Sequence, residues 1–334
     1  MAPSATLIVG PSWVGDMVMA QALFILLKKR EPQRHIDVLA PGWSLPIVAR
    51  MPQVRRGIAA ETGHGELGLG KRRRIGRDLQ EAGYEQAIVL PRSLKSALIP
   101  WFARVPRRTG FLGESRYLLI NDRRRFDKAV LDQTVKRFVA LGLPPGETLG
   151  ETPYPALTVD TGNQCRVMDA LRITTGRPVV AMMPGAEYGP AKCWPLEYFA
   201  ELAALLASDG YDVWILGSEK DAVAGEQIAA ASNAQNICGK TSLEDVIDLL
   251  GYAGQVISND SGLMHIAAAV GAHVHGIYGS SSPGFTPPLT DKRHVHHLDL
   301  DCSPCFERTC PLDHLRCLKE ITAARVHDAV LAAG

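Results

Sequence analysis

The sequence lacks two features that would tie it to a membrane, namely a long apolar run and a basic leader at its start. A membrane-spanning helix needs ~20 consecutive apolar residues, and the apolar segments here are shorter. Residues 1–9 carry no lysine or arginine and pass directly into an apolar segment, so a secretory signal is not expected. We therefore expect a cytoplasmic protein without a membrane span.

The loop after the first predicted strand lacks the residues of the two common nucleotide-binding loops. Residues 10–17 (GPSWVGDM) contain neither G-x-G-x-x-G nor the lysine of a P-loop. They offer instead a carboxylate, Asp16, at the predicted start of a helix. This pattern fits either a first-turn acid stabilised by the helix dipole or a general base at a ligand site.

The composition is that of a globular protein with more than one domain. Of the 334 residues, 46% are hydrophobic and 21% are charged, and the length predicts two domains of about 150 residues each. The charge is divided unequally. Residues 1–150 hold 24 lysines and arginines against 13 acids, a net charge of +11, and the remainder holds 12 against 22, a net charge of −10.

A basic first half predicts a polyanionic partner, such as nucleic acid, an anionic lipid surface or a phosphorylated substrate. The basic runs at residues 71–74 and 123–125 are equally consistent with ordinary solvated surface.

Short apolar runs alternate with helical patterns along the whole chain, which predicts a doubly wound α/β architecture with parallel sheets. We expect an N-terminal domain at 1–160, a linker within 144–175 rich in proline, glycine and threonine, a second domain at 175–320, and a last helix at 321–334. No heptad or solenoid repeat is present. Because ligands bind at the carboxyl ends of strands in such sheets, a cleft between the domains is the expected site. The predicted strands are residues 6–9, 36–39, 86–90, 178–183, 212–216, 255–257 and 274–278.

The most informative segment is residues 256–265 (VISNDSGLMH), which predicts a strand, a tight turn and a helix. Ser258, Asn259, Asp260 and Ser261 are all competent helix N-caps. Backbone amides at such a turn can bind a phosphate, with Gly262 allowing close approach and His265 facing the ligand. An ordinary capped helix is the alternative.

Two further loops carry candidate binding residues. Lys192, in the loop 184–195, can place a point charge on a diphosphate, or it is a surface lysine beside a core tryptophan. Glu219 and Asp221, in the loop after another strand, can accept hydrogen bonds from ribose hydroxyls.

Six segments in consistent order resemble glycosyltransferase family 9, and within it the ADP-heptose-dependent lipopolysaccharide heptosyltransferase II group. The resemblance spans about residues 6–330. It implies a GT-B fold, in which two Rossmann-like domains face each other, with the last helix packing back on the N-terminal one. The segments are GPSWVGDM (10–17), LPRSLKSAL (90–98), RTG and RY (108–117), PGAE and KCWP (184–195), NDSGLMH (259–265) and SSP and FTPP (281–288).

The activity implied is inverting transfer of heptose from ADP-heptose to the first heptose of the lipopolysaccharide inner core, at the cytoplasmic face of the inner membrane. Asp16 matches the general base, and Lys192 stabilises the leaving diphosphate. No metal cofactor, no nucleic acid partner and a monomer are expected. The implied donor-binding residues are Gly185, Lys192, Glu219, Asp221, Asp260, Ser261, Gly262 and His265, and the acceptor-binding candidates are Ser12, Trp13, Ser93, Lys95, Arg108 and Arg116.

The chain departs from the family pattern at Cys193, where an arginine is expected, and in its tail. The tail spacing Cys302-x2-Cys305-x4-Cys310-x6-Cys317 could hold a structural zinc. Reduced thiols packed under the last helix, disulfides or an iron cluster are the alternatives.

Other functions remain open at this level. Heptosyltransferase I or a sugar-nucleotide epimerase would share the diphosphate site and differ in the acceptor loop around residues 93–96. A non-catalytic nucleotide-binding protein would not need Asp16.

Overall fold

The computed structural model describes residues 4–61, 66–173 and 175–334. Residues 1–3, which belong to the segment examined for a leader, and Thr174, in the predicted linker, lie outside the described residues. The chain divides into two compact units, Met1–Pro155 and Ala156–Gly334. This division falls inside the segment predicted as a linker, and that segment also contains a helix.

The first unit is one parallel sheet of six strands with helices between them. The strand order is β3-β2-β1-β4-β5-β6. Its elements are β1 (Ala5–Val9), α1 (Val14–Arg30), β2 (His35–Ala40), α2 (Leu45–Ala49), β3 (Arg56–Ala59), α3 (Leu69–Asp78), β4 (Gln86–Val89), α4 (Leu98–Phe102), β5 (Arg107–Phe111), β6 (Asp122–Arg124) and α5 (Thr134–Leu141).

The second unit repeats this architecture. Its six parallel strands are ordered β12-β11-β10-β7-β8-β9. Its elements are α6 (Thr161–Ala170), β7 (Val179–Met183), α7 (Leu196–Ser208), β8 (Asp212–Ile215), α8 (Ala222–Ala230), β9 (Gln235–Asn236), α9 (Leu243–Tyr252), β10 (Gln255–Asn259), α10 (Gly262–Ala269), β11 (His273–Ile277), β12 (Arg293–His296), α11 (Arg316–Lys319) and α12 (Ala323–Ala333).

The predicted α/β class is confirmed, with a doubly wound sheet in each unit. The central strands β1, β4, β7 and β10 are buried along their whole length, as expected for parallel strands covered on both faces. In each sheet the strand order reverses once. The reversal lies between β1 and β4 in the first unit and between β7 and β10 in the second. Such a switch point opens a crevice at the carboxyl ends of the strands.

The basic run at residues 71–74 forms part of helix α3. Lys71, Arg73 and Arg74 are exposed, whereas the Arg72 guanidinium turns back and donates to the carbonyl oxygens of Glu66 and Leu67. Three of the four charges are therefore presented to solvent. No helix among the described residues is both long and apolar enough to span a membrane.

The last helix belongs to the second unit. Helix α12 packs against α7 and β11 of that unit, and Val326 and Val330 join the same apolar core as Phe199 of α7. The Trp194 indole donates a hydrogen bond to the Ile321 carbonyl at 2.8 Å. This bond attaches the segment just before α12 to the loop that precedes α7. Helix α12 thus has contacts within its own unit, and its packing on the N-terminal domain stays a prediction.

Two histidines of the second sheet are buried in neutral form. His275 on β11 and His296 on β12 are both fully buried, and their rings stack with centroids 5.8 Å apart. Burial is the main reason that each pKa is lowered to about 3, and the nearby His294 lowers both pKa values further. His275 has one hydrogen-bond partner, the Gln255 side chain.

We expect these histidines to make folding sensitive to acid. An unfolded histidine binds a proton near pH 6.5, whereas these two stay neutral to about pH 3 when folded. The free energy of unfolding is therefore unaffected by these histidines above pH 6.5. It falls as the pH is lowered from 6.5 toward 3, because the unfolded histidines bind protons that the folded ones do not. At pH 5.5 each should lower the free energy of unfolding by about 1.4 kcal/mol. Urea unfolding at pH 7.5 and 5.5 measures this loss. His296→Leu should show a smaller loss, and an unchanged pH dependence in that variant would contradict the assignment.

Candidate active site

An ion pair lies at the switch point of the second unit. Lys192, in the loop after β7, and Asp260, directly after β10, place Nζ and Oδ2 2.5 Å apart. The two side chains are only 18% and 5% exposed. The pair therefore joins the two loops predicted from sequence to bind phosphate, at the point where the fold forms a crevice.

Asn259, the last residue of β10, holds the loop after β7 in place. Its amide nitrogen donates to the Pro184 carbonyl at 2.6 Å, and its amide oxygen accepts from the Trp194 backbone at 3.0 Å. Both bonds are buried and span more than sixty residues of sequence. Lys192 lies between these two attachment points, so its backbone is anchored on both sides.

Helix α10 begins at this ion pair without a side-chain cap. Ser261 occupies the N-cap position in an extended conformation, and its side chain makes no capping hydrogen bond. Its hydroxyl instead lies 3.2 Å from the hydroxyl of Ser258. The first amides of α10, beginning with Gly262, are therefore not satisfied by Ser261 and can bind an anion, favoured by the helix dipole.

His265 lies one turn into α10 and is 5% exposed. Burial lowers its pKa to about 4, and the adjacent Lys192 lowers it further while Asp260 opposes the shift. The imidazole is therefore neutral near pH 7. Its Nδ1 atom is buried and has no hydrogen-bond partner among the described residues. Buried polar atoms are normally satisfied, so an unpaired one can mark a ligand position.

The other predicted donor residues lie at the ends of β7 and β8. Asp221 accepts from the backbone and hydroxyl of Ser218, both at 2.8 Å, and so closes a capping box. Gly185 lies against this carboxylate, since a Cβ atom there would be 2.4 Å from Asp221 Oδ1. Glu219 is exposed. Ribose binding by Glu219 and Asp221 stays a prediction, and Asp221 has a structural task in addition.

Two residues at this site were given no role from the sequence. Tyr188 places its ring centroid 5.1 Å from the Lys192 ammonium, and Thr286 approaches Asp260 with its hydroxyl at 3.5 Å. Thr286 lies inside the FTPP motif that carried the family resemblance, and Tyr188 lies in the same loop as the PGAE and KCWP motifs, between the two. The signal was therefore present, but only the fold shows which members of those motifs turn toward the ion pair.

Cys193 follows Lys192 at the position where the family pattern has arginine. Burial raises the pKa of its thiol, and the Asp221 carboxylate adds to the shift. The thiol is therefore neutral near pH 7. This position supplies no positive charge, and Lys192 alone provides the cation of the loop.

In the first unit, Asp16 lies in the first turn of α1, directly after β1. It is half-buried and within electrostatic reach of Arg137 on α5. The exposed Ser12 and Trp13 precede it in the same loop. Asp16 thus occupies the switch point of its sheet, as Lys192 and Asp260 do in theirs.

Arg116 holds the loop after β4. Its side chain is almost fully buried, and it donates to the carbonyl oxygens of Pro91, Ser93 and Phe111 at 2.6 to 3.0 Å and to the Ser96 hydroxyl at 3.0 Å. Burial is the main reason that its pKa is lowered to about 10. These bonds fix the backbone of residues 91–96, which carries the acceptor candidates Ser93 and Lys95.

Arg108, like Arg116, donates hydrogen bonds to backbone carbonyl oxygens of its own unit. Its guanidinium donates to the carbonyl oxygens of Leu119 and Val105 at 2.7 and 2.6 Å. Ser93 and Lys95 are half-buried on the loop held by Arg116. Direct contact of Arg108 and Arg116 with an acceptor stays a prediction, and each guanidinium already has partners within the unit.

Replacing Arg116 should therefore damage stability. Arg116→Lys cannot reproduce the forked bonding to the loop carbonyls, and we expect the free energy of unfolding to fall by about 2–4 kcal/mol. Arg123→Lys, at an exposed arginine of β6, should change it by less than ~0.5 kcal/mol. Urea unfolding checks both. Native stability in Arg116→Lys, with loss only of acceptor affinity, would contradict the structural role.

The four tail cysteines are free thiols. Cys317 is buried, whereas backbone amides of residues 312–315 surround the Cys310 sulfur and lower its pKa. Over the described ranges there is no group of three or more His, Cys, Asp or Glu side chains that could hold a metal ion.

Structural zinc at these cysteines is one of the alternatives that the sequence leaves open, and reduced thiols are another. Bound zinc would give a content near one zinc per chain after purification without chelator, and less than ~0.2 per chain would exclude a tightly bound site. A Cys305→Ser/Cys310→Ser variant is the matched control, because it should lose the metal if these thiols hold it.

Comparison with known proteins places the chain in a family. Residues 72–316 match the model of glycosyltransferase family 9 (heptosyltransferase). Lipopolysaccharide heptosyltransferase 2 of Salmonella typhimurium is 45% identical over 304 residues, covering 87% of each chain. Lipopolysaccharide heptosyltransferase 1 of Pseudomonas aeruginosa is 28% identical, covering 81% of this chain and 75% of that protein.

The solved structure of ADP-heptose lipopolysaccharide heptosyltransferase II from Escherichia coli matches with a TM-score of 0.88. It is 40% identical in sequence, and the match covers 98% of both chains. This similarity confirms the predicted GT-B fold. With the family match over residues 72–316, it leads to one conclusion: the chain belongs to glycosyltransferase family 9.

Proposed function

We propose that this enzyme transfers heptose from ADP-heptose to the first heptose of the lipopolysaccharide inner core. The observation that carries the proposal is the 45% identity to lipopolysaccharide heptosyltransferase 2 over 87% of both chains. The relative named heptosyltransferase 1 is more distant, at 28% identity, so transfer to the second heptose position is favoured over the first.

The second unit binds the donor in this proposal. The diphosphate of ADP-heptose lies at the N-terminus of α10, where amides that Ser261 does not cap and the helix dipole favour an anion. Lys192 supplies the positive charge, and Asp260 keeps the lysine oriented through their ion pair. The stabilisation by Lys192 is largest when the bond to the sugar breaks, because negative charge then develops on the departing ADP.

A neutral His265 suits this site as a hydrogen-bonding group. Because its pKa is lowered to about 4, the imidazole carries one N–H and one acceptor nitrogen near pH 7. It can therefore contact a sugar hydroxyl or a phosphate oxygen without adding a second charge.

Asp16 is the proposed general base. It takes the proton from an acceptor hydroxyl as that oxygen forms a bond to the anomeric carbon, which requires an approach to about 3 Å. The bond between this carbon and the diphosphate breaks on the opposite face, and ADP leaves with the electron pair. One displacement inverts the anomeric centre and forms no covalent enzyme intermediate.

No metal ion has a role in this scheme. Lys192 and the α10 amides compensate the charge of the leaving diphosphate, which is the task that a divalent cation performs in other transferases. The proposal therefore includes activity that EDTA does not lower.

The test is ADP release from ADP-heptose with a heptose-terminated inner-core acceptor. Asp16→Asn should lower the rate by ~10²–10⁴-fold, whereas its affinity for ADP should be unchanged because the donor-binding groups lie in the other unit. Asp78→Asn, at an exposed acid of α3, is the matched control and should keep native activity. Native turnover by Asp16→Asn would contradict its role as the base. No turnover by the native protein with this substrate pair would contradict the proposed function.

The proposed site of action is the cytoplasmic face of the inner membrane, where the chain is a peripheral monomer with no nucleic acid partner. Helix α3 presents Lys71, Arg73 and Arg74 beside the exposed Leu69. Trp101 of α4, which packs against α3, is 45% exposed. Basic residues beside exposed apolar side chains favour contact with an anionic lipid surface.

A further inference from the structure

Residues 303–308, which we call the tail segment, lie at the carboxyl end of the second sheet. The Ser303 hydroxyl donates to the Gly279 carbonyl at 2.7 Å, and the Phe306 amide donates to the Ser280 carbonyl at 2.6 Å. Both carbonyls belong to the loop that follows β11, the strand beside β10. The tail segment is therefore bound at the same edge of the sheet as the ion pair of the candidate active site.

The backbone of Arg308 is attached directly beside Lys192. The Arg308 carbonyl oxygen accepts a hydrogen bond at 3.0 Å from the amide of Ala191, the residue before Lys192. Gly189 also packs against this carbonyl, since a Cβ atom there would be 2.6 Å from the oxygen. The tail segment is thus held against the lysine loop by backbone contacts, which do not require the Arg308 side chain.

The side chains of Arg308 and Lys192 contact one aromatic ring. The Arg308 guanidinium carbon is 5.3 Å from the centroid of Tyr188, and the Lys192 ammonium is 5.1 Å from the same centroid. The two cationic groups are therefore at most 10.4 Å apart. The ring is held in turn, because its hydroxyl donates to the Phe306 carbonyl at 2.6 Å. Contact with the ring favours a position of the guanidinium near Lys192.

The two cations differ in what already binds them. The Lys192 ammonium is paired with Asp260, so this pair as a whole adds no net positive charge. The exposed Arg308 guanidinium makes no hydrogen bond or ion pair with any other residue that the structure describes. Its five N–H donors are therefore available to a ligand. A diphosphate carries more than one negative charge, and Arg308 can supply positive charge that the ion pair does not.

We propose that Arg308 binds the diphosphate of the donor together with Lys192 and donates hydrogen bonds to it as ADP leaves. This inference rests on the proposed function and adds to it a binding residue from the tail. A guanidinium can donate two parallel N–H groups to the oxygens of one phosphate. The stabilisation grows as negative charge develops on the departing ADP.

The first experiment measures ADP binding by calorimetry. Arg308→Gln should weaken ADP binding by ~10-fold or more, as expected for loss of a hydrogen bond to a charged group. Arg308→Lys keeps the charge without the planar fork and should bind ADP more tightly than Arg308→Gln does. Lys319→Gln removes a positive charge from an exposed position of α11. It is the matched control and should leave the affinity near native.

Adenosine separates contact with the diphosphate from a general effect on the tail. It keeps the base and the ribose and lacks the diphosphate, so it should bind the native enzyme and Arg308→Gln equally well. In turnover, Arg308→Gln should lower kcat/KM for ADP-heptose at least as much as it lowers ADP affinity. The acceptor KM should stay native. Thermal melts establish that each variant is folded, and Arg308→Ala provides the same comparison if the glutamine variant is not.

A folded variant without the guanidinium that keeps native affinity for ADP would overturn the inference. An equal loss of affinity for adenosine and for ADP would also overturn it, because the arginine would then support the fold of the site and not the diphosphate. A native enzyme that binds ADP through Arg308 but releases no ADP from ADP-heptose would instead overturn the proposed function.

Discussion

The ion pair between Lys192 and Asp260 is the contact on which the arrangement of the second unit's loops depends. It joins residues 68 positions apart in sequence, and it can form only because the strand order places the ends of β7 and β10 side by side. With 5% of its side chain exposed, Asp260 would be costly to leave without a cation, because a buried charge that loses its partner is strongly destabilising. The pair therefore ties the folding of two loops to the geometry of the site.

Arg116 performs a comparable task in the first unit with different chemistry. There the partner of the buried cation is a set of backbone carbonyls from residues 91, 93 and 111. A guanidinium can satisfy several carbonyls at once because its donors point in fixed directions. In both units a long cationic side chain fixes a loop at the switch point, so the binding residues on that loop can be placed accurately.

The sequence predicted all but one of the interior strands and missed the edge strands for a physical reason. The predicted apolar runs correspond to β1, β2, β4, β7, β8, β10 and β11. Strand β5, which reads RRTGF and lies between β4 and β6, was not predicted because it begins with two arginines. The four edge strands β3, β6, β9 and β12 were also not predicted. They read RGIA, DRR, QN and RHVH. An edge strand has one neighbour and one open side, so it carries little apolar pattern, and its register is set by the strand beside it.

The same distinction applies to the candidate site. Asp16, Lys192, Asp260 and His265 could be selected from sequence because each lies in a loop directly after a strand or in the first turn of the helix that follows. The structural roles of Arg116, Arg108 and Asp221 could not be predicted from sequence. A charged residue in a motif has the same sequence signal whether it contacts a ligand or other groups of its own unit. Only the contacts distinguish the two, and these depend on residues far away in sequence.

The acidic character of the second unit does not conflict with an anionic donor, because net charge and local charge differ there. The acids around the switch point of the second sheet are already bound: Asp260 pairs with Lys192, Asp221 accepts from Ser218, and Glu187 pairs with Lys220 at 2.9 Å. Exposed charges farther away are screened within about 8–10 Å at physiological salt. The positive groups at close range include the N-terminus of α10, the Lys192 ammonium and the Arg308 guanidinium, which lies 5.3 Å from the centroid of the same Tyr188 ring that Lys192 contacts. In the first unit the excess of positive charge does reach the switch point, where Arg137 on α5 lies within electrostatic reach of Asp16. The division of charge along the sequence thus indicates the ligand chemistry of the first unit more directly than that of the second.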